Sequence, residues 1–471
     1  MKESVIYPTE NGNLYVYDVR HKFSMLIHPK LSKISEKSAE TDPYYLKKYN
    51  YLKGQCFLGQ AEPSDFETVL DETTIQEKII QTQQLVFEAT DHCNLNCTYC
   101  ALGELYESGK KGRKKNINIH YAVNLLKYIF DLKRKNKDRT GKFQISFFGG
   151  EPLVNMPFIK QIVEIANQLN AEVALELGYY MTTNATLIHK YINFLVEYNF
   201  RLLISFDGDE EGQSYRTYAK NNKNSFWQVI ENIDMIQRDF PAYFADNVKF
   251  NAVLHNRNSV KSIYDFVYKR YNKIPEIAQL NTGDINPDKK ELFEHMFLDK
   301  RKSEEECQHG GSNSVPGSRI SYTELNYFLR NYSINFYVLD LRYLLYDPIK
   351  LYPTGTCMPF SKKIFLNTHH NLLPCERVHF EYSLGKVNEN VIIDIPEIAR
   401  KYNVYFNRFK KVCQNCYIAE SCDICMLKLG NLDQLDTEEL VCPGFQDQEA
   451  FKKEQKHMFS LLEKEANEIF K

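Results

Sequence analysis

The 471-residue chain has a single tryptophan, and no apolar run reaches the roughly 18 residues of a membrane-spanning helix. Its start, MKESVIYPTENGN, carries no apolar stretch behind the lysine, so no secretory signal is read there. Neither sign of charge dominates, since 59 Lys and Arg stand against 61 Asp and Glu. No global field therefore draws the chain to nucleic acid or to a membrane. Internal repeats and low-complexity tracts are missing as well. These absences point to an ordinary soluble, cytoplasmic chain. With 43% hydrophobic and 25% charged residues it can build sizeable cores rather than remain disordered. Its length suggests about three domains.

What the chain does have is cysteine, twelve in all. In a reducing compartment these are not expected to form a disulfide framework. They are also unevenly spread. Cys93, Cys97 and Cys100 sit together, whereas Cys357, Cys375, Cys413, Cys416, Cys422, Cys425 and Cys442 gather near the C-terminus. Cys56 and Cys307 stand alone. Clustered thiolates in a reducing cell point to soft metals, either zinc or iron–sulfur.

Residues 1–83 read as a small strand-rich module. Asn11-Gly12 between apolar runs signals a hairpin, with strands expected over Val5–Tyr7, Leu14–Val19 and Phe23–Ile27. A helix is expected over Tyr44–Leu52. The module is either a structural cap or a docking site whose edge strand pairs with an extended peptide.

From residue 84 the texture changes. Candidate strands at Leu85–Thr90, Phe143–Phe148, Val173–Thr182, Arg201–Phe206, Val248–Leu254 and Glu276–Leu280 alternate with candidate helices. The helices are placed at Ile119–Lys135, Pro157–Leu169, Thr186–Tyr198, Phe226–Arg238 and Val260–Tyr271. This alternation implies βαβ units and a parallel sheet. Six strands are too few for an eight-stranded barrel, so the α/β fold expected over 84–285 is a partial (β/α)6 barrel. A charged helical bridge is read over 286–356, a cysteine-rich domain over 357–450 and a final helix over 451–471. The basic run Lys110–Lys115 reads as a solvated loop.

The segment Cys93-x3-Cys97-x2-Cys100 follows the first candidate strand, on the face of a βα barrel that carries chemistry. Three thiolates in eight residues can hold one face of a 4Fe–4S cube and leave one iron open. A structural zinc site would want a fourth ligand, and none is local. A redox CxxC is the other alternative.

With these residues the chain resembles the radical S-adenosylmethionine (SAM) superfamily. Phe148-Gly149-Gly150-Glu151-Pro152, Thr182-Thr183-Asn184-Ala185 and Ser205-Phe206-Asp207-Gly208 follow successive strands in order, like that family's GGEP, TNG and SxDG elements. The resemblance implies that Cys93, Cys97 and Cys100 hold the SAM-cleaving 4Fe–4S cluster. It implies that Gly149 and Gly150 admit SAM closely and that Glu151 accepts its ammonium. It further implies that Asn184, Ser205 and Asp207 line the cofactor site, with Ser205 at the ribose. Arg216 would meet the SAM carboxylate, and Tyr99 would pack near adenine. Ala185 departs from the family's glycine.

The C-terminal cysteines resemble the SPASM domain of radical SAM peptide-modifying enzymes, with a zinc ribbon as the plainer alternative. By resemblance, Cys357, Cys375 and Cys425 serve a first auxiliary 4Fe–4S cluster. Cys413, Cys416, Cys422 and Cys442 complete a second, making three clusters in all. Only two residues separate Cys422 from Cys425, where the family usually has three. His370 stands at a position usually glycine, and Leu351 stands where some members have a further cysteine. A fourth ligand for the first auxiliary cluster could then come from Cys307, another side chain or the substrate itself.

The implied function is maturation of a precursor peptide by a thioether or carbon–carbon cross-link, with a flavodoxin or ferredoxin as electron donor. The second reading is an anaerobic sulfatase-maturing enzyme that oxidises Cys or Ser to formylglycine. Those enzymes place an Asp after the second SPASM cysteine as a base, and Glu376 stands there. A third reading, an iron–sulfur electron carrier, leaves GGEP and SxDG unexplained.

Overall fold

Asn11-Gly12 closes a tight turn, with Gly12 at φ +81° and Thr9 N donating to Asn13 O at 2.8 Å. In this computed structural model, residues 36–41, 108–114, 137–140, 310–350, 379, 430–431, 433–441 and 470–471 are left undescribed; the rest are described. Two units emerge: residues 1–70, 312–356 and 400–471 form one, and residues 71–311 and 357–399 the other.

In the first unit, β1 (Lys2–Glu3) pairs with β5 (Gln60–Ala61), while β2 (Val5–Pro8), β3 (Leu14–Asp18) and β4 (Phe23–Ile27) form an antiparallel sheet in that order. Strand alternation gives the sheet two apolar faces. Val16 and Ile27 pack with Leu31, Tyr45 and Tyr49 from helices Pro29–Ser35 and Pro43–Gly54. Tyr7, Tyr15 and Tyr17 instead meet Phe459 and Phe451 of the helix Gln448–Ile469, with ring centroids 4.7–5.6 Å apart.

In the second unit, β6 (Gln84–Thr90), β7 (Lys142–Gly149), β8 (Glu176–Thr183), β9 (Arg201–Ser205), β10 (Val248–Leu254) and β11 (Glu276–Gln279) run parallel, each paired with the next. These are the six strands of the expected partial barrel. Phe87, Phe147 and Phe200 stack beneath the helices and are at most 1% exposed, each contributing about 1.5–3 kcal/mol by burial. Helices Ile119–Lys135 and Val260–Tyr271 match their expected bounds. Asn118 and Ser259 cap them.

Three features differ from expectation. The helix read over Thr186–Tyr198 shrinks to Ile192–Glu197, because Asn184–Thr186 is taken up by a hydrogen-bonded turn. Helices at Glu72–Ile80 and Ile395–Cys413 were not foreseen. Finally, β12 (Lys363–Leu366) adds parallel to β6, and β13 (Asn371–Leu373), β14 (Gly385–Val387) and β15 (Val391–Ile392) continue the same ten-stranded sheet. The two units break at 356/357, where the sequence-derived segments also break, and elsewhere at other positions. Helices Lys290–Met296 and Lys300–His309 occupy part of the expected bridge; its residues 310–350, like Lys110–Lys114, lie outside the described residues.

Candidate active site

The C-terminal ends of β6, β7 and β8 are stitched to the cysteine loop. Gly150 N donates to Thr90 O, and Glu151 N to His92 O, both at 2.9 Å. The fit is tight enough to require both glycines. A Cβ on Gly149, whose φ is +131°, would lie 2.1 Å from Thr90 O. One on Gly150 would lie 2.3 Å from His92 O. Gly-Gly here is thus explained by backbone against backbone at the root of the cysteine loop.

Glu151 is 1% exposed and accepts from Thr183 Oγ1 and Asn184 N, each at 2.7 Å, and from Leu153 N at 3.2 Å. Burial pushes its carboxyl up to about 7, against these bonds. The carboxylate expected to take an ammonium already anchors the end of β8. Asn184 then reaches the cysteine loop, with its amide 3.0 Å from Asn94 Oδ1 and 3.6 Å from Cys93 Sγ. Ala185, in the glycine position of the motif, adopts φ 62°. Its backbone keeps the left-handed conformation that glycine favours.

A second buried network closes the other side. Asp207 is fully buried and accepts from Arg216 Nε at 2.8 Å, Arg216 Nη2 at 2.9 Å, Val253 N at 2.9 Å and the Tyr99 hydroxyl. His255 Nε2 lies 3.8 Å from the same carboxylate, and its ring stacks on Tyr99 at 5.4 Å. Burial works to raise the Asp207 carboxyl, but Arg216 prevails and holds it below the carboxylate range. Tyr99 is 5% exposed in a cluster with Leu105, Tyr106 and Tyr215, and Cys97 packs against this cluster. Arg216 and Tyr99 are therefore internal props in this structure.

Below the loop, the inner face of the sheet lines a cavity of about 350 Å³ that includes Ser146, Tyr180, Thr182, Leu203 and Glu376. Ser205 shares the face of Arg201 and Leu203, one step nearer the cysteine loop, and pairs with Asn251. Lys363 Nζ holds both oxygens of Glu376, at 2.9 and 3.1 Å. Burial works to raise this carboxyl, yet Lys363 brings it below its ordinary value. Cys375 Sγ lies 3.4 Å from Glu376 Oε2.

Cys413 and Cys416 are buried, and Cys422 and Cys442 half-buried. Burial pushes the Cys413 thiol up to about 12, and Cys422, Cys442 and Cys416 raise it further, so the four lie within electrostatic reach of one another. The backbone at Cys422 is close-packed, since a Cβ on Gly355 would lie 2.2 Å from Cys422 O. Of the other expected set, Cys357 and Cys375 belong to one unit and Cys425 to the other. The Cys307 side chain is outside the described residues, while Leu351 O accepts from Glu67 N at 2.8 Å. His370, the second departure from glycine, has φ 65°.

The loop fits the implied cube by its donor chemistry: three half-buried thiols with Asn184 aimed at one of them. Among the described residues, no three Cys, His, Asp or Glu side chains gather tightly enough for one metal ion. A cube takes one thiolate per iron corner and asks for a wider set. Sequence reasoning missed His255 and Lys363. His255 follows directly on β10, where the strand-end rule that found the other residues applies equally. Lys363 carries no motif.

The radical SAM superfamily model matches residues 87–267. An uncharacterized Methanocaldococcus jannaschii protein is 31% identical over 46% of this chain and 66% of its own length. The radical SAM cyclopropyl synthase TigE of Paramaledivibacter caminithermalis is 28% identical over 44% and 42%. A cysteine-type anaerobic sulfatase-maturating enzyme of Clostridium novyi is 29% identical over 46% and 58%. The chain thus spans about two-fifths to two-thirds of these relatives. The solved structure of anSMEcpe with bound AdoMet superposes with a TM-score of 0.52 at 16% identity, covering 82% of this chain and 99% of that one. At that identity the likeness shows a common fold.

Proposed function

We propose, from the premise that residues 87–267 are a radical SAM domain, that the chain matures a precursor peptide by forming a thioether or carbon–carbon cross-link. Cys93, Cys97 and Cys100 would hold a 4Fe–4S cluster, which together with SAM would supply radical hydrogen abstraction. The protein's own part is to hold the loop rigid through Gly149, Gly150, Glu151 and Asn184. It also offers an open cavity of about 350 Å³ on the sheet that a substrate side chain can enter. We assign a second cluster to Cys413, Cys416, Cys422 and Cys442, and a third to Cys357, Cys375 and Cys425. A flavodoxin- or ferredoxin-like donor would supply the electrons.

The observation that supports a peptide substrate is the edge of the N-terminal sheet. Among the described residues β4 has no partner on its outer side. Leu26 on it is 61% exposed, and Tyr44 and Tyr51 of the helix Pro43–Gly54 are 58% and 66% exposed. An extended leader can add there as a fourth strand, with its apolar side chains against these groups. Leu26→Asp should then weaken precursor binding about tenfold, roughly 1.4 kcal/mol, while 5′-deoxyadenosine formation without peptide persists. Equal binding by the variant would remove the docking role.

Formylglycine formation is the second reading, supported by Glu376 beside Cys375 on the cavity wall. Lys363 makes that carboxylate a weaker base than a free one, which favours the first reading. Anaerobic turnover with candidate peptides, followed by mass spectrometry, separates the two. A cross-link leaves the peptide two hydrogens lighter and resistant to fragmentation between the joined residues, whereas formylglycine adds an aldehyde that hydrazides trap.

A further inference from the structure

The first unit holds a cavity of its own, of about 310 Å³, walled by three pieces of chain. One is the β1–β5 ladder, where Lys2 pairs with Ala61 and Glu3 with Gln60. Another is the stretch between Cys416 and Cys422. The Tyr417 hydroxyl accepts from Glu3 N and donates to Glu3 O, both at 3.1 Å, and so ties that stretch to the ladder. The third is the turn after β3. Asp18, 1% exposed, accepts from the Arg20 and His21 amides at 3.2 and 2.9 Å and from Leu58 N at 2.7 Å. The turn is thereby locked, with Arg20 and Lys22 on the cavity lining.

Three cations, Lys2, Arg20 and Lys22, line the cavity against two carboxylates, Glu62 and Glu420. Glu420 is already engaged, because it accepts from Lys22 Nζ and, at 3.0 Å, from Ser64 Oγ. Ser64 Oγ in turn accepts from Lys2 Nζ at 3.1 Å, so the hydrogen bond of this half-buried ammonium ends on a neutral oxygen. Among the described residues no acceptor lies within hydrogen-bond reach of the Arg20 guanidinium. Glu62 is exposed. An ammonium carries three donors and a guanidinium five. The lining thus has one positive charge in excess and unused donors on two cations. An anion that accepts from both offsets the cost of holding such charge partly out of water.

We propose that this cavity binds a carboxylate, held between Lys2 Nζ and the Arg20 guanidinium. The class follows from charge. A carboxylate supplies the single negative charge in deficit, whereas a phosphate group, at about −1.5 to −2, overcompensates beside Glu62 and Glu420. Tyr17, Val19 and Pro63 also line the cavity and give the body of the ligand an apolar wall. The volume stands at the lower end of the range for small-molecule sites, about 300–1,000 Å³, and suits a small acid or one acidic side chain of a peptide. A ligand seated there touches the N-terminal module and the stretch between Cys416 and Cys422 together. The site is independent of the chemistry proposed for the 93–100 loop.

Calorimetric titration of the full-length, anaerobically reconstituted chain tests this with four probes: a blocked tripeptide with a central glutamate, its glutamine counterpart, butyrate and inorganic phosphate. The glutamate tripeptide should bind and the glutamine one should not. Arg20→Gln and Lys2→Gln should each weaken binding about tenfold, the loss expected for one charge-assisted hydrogen bond. Glu62→Gln removes a competing negative charge and should strengthen it. Arg20 is exposed, so its variant keeps the fold and carries the test alone if Lys2→Gln does not. Butyrate binding at least as tightly as the glutamate tripeptide identifies a free acid as the ligand; tighter binding of the tripeptide identifies an acidic residue of a chain. Equal binding of the two tripeptides, binding of neither carboxylate, or unchanged affinity in Arg20→Gln overturns the inference. So does phosphate binding more tightly than either carboxylate.

Discussion

The two cysteine-rich regions are built on opposite plans. Cys93, Cys97 and Cys100 lie within eight residues, on one loop of one unit, and their neighbours hold them from both sides. Glu151 and Asn184 anchor one flank, and Asp207 and Arg216 the other. The C-terminal cysteines run from 357 to 442 and divide between two units, with four of them within electrostatic reach of one another. The first region shows a cysteine loop held through buried polar pairs on both flanks. The second shows close packing around Cys422, with Gly355 against the backbone of Cys422 and Asp423 and Gly444 against the Ile424 side chain.

The largest expected effect separates the two by function. Changing Cys93, Cys97 and Cys100 together to Ala should abolish 5′-deoxyadenosine formation. It should also lower the iron content from about 12 to about 8 atoms per chain, by iron and sulfide analysis. A triple variant that still cleaves SAM would erase the distinction. Next comes the buried pair. Asp207→Ala leaves the Arg216 guanidinium uncompensated in the interior and should cost about 3–5 kcal/mol in urea unfolding. A loss below about 1 kcal/mol would mean that water reaches the pair.

Glu151 gives a smaller effect with a definite sign. Its carboxyl is raised from 4.5 to about 7, so between these values the folded chain binds more protons than the unfolded one. Stability without SAM should therefore fall as pH rises from 4.5 to 7, by about 3 kcal/mol, and level off above. In Glu151→Gln this component of the pH profile should vanish, as denaturant unfolding at several pH values would show. The smallest effect concerns Ala185→Gly, which relieves a left-handed alanine at the cost of unfolded-state entropy. A stabilisation of up to about 1 kcal/mol is expected. Destabilisation would show that the alanine methyl packs better than its backbone is strained.

The same contrast explains what could be read in advance. The six parallel strands and the helices Ile119–Lys135 and Val260–Tyr271 follow from hydrophobic period, and the loop residues follow from their order at strand ends. What was not legible depends on contacts distant in sequence. Strands β12–β15 are two to four residues long, too short for a period, and they join the barrel sheet through pairing with β6. The helix Ile395–Cys413 was hidden within a segment read for its cysteines. The Asp207 partners of Arg216 and Tyr99 required the fold to bring β9, β10 and the loop together.

The central claim is that the 93–100 loop is a self-sufficient centre for SAM cleavage. The most direct measurement is electron paramagnetic resonance of a reduced variant in which Cys413, Cys416, Cys422 and Cys442 are all Ala, with and without SAM. The account predicts a remaining 4Fe–4S signal that changes on adding SAM, together with 5′-deoxyadenosine in the same sample. A variant that holds iron but shows neither a SAM-dependent change nor the nucleoside would contradict it.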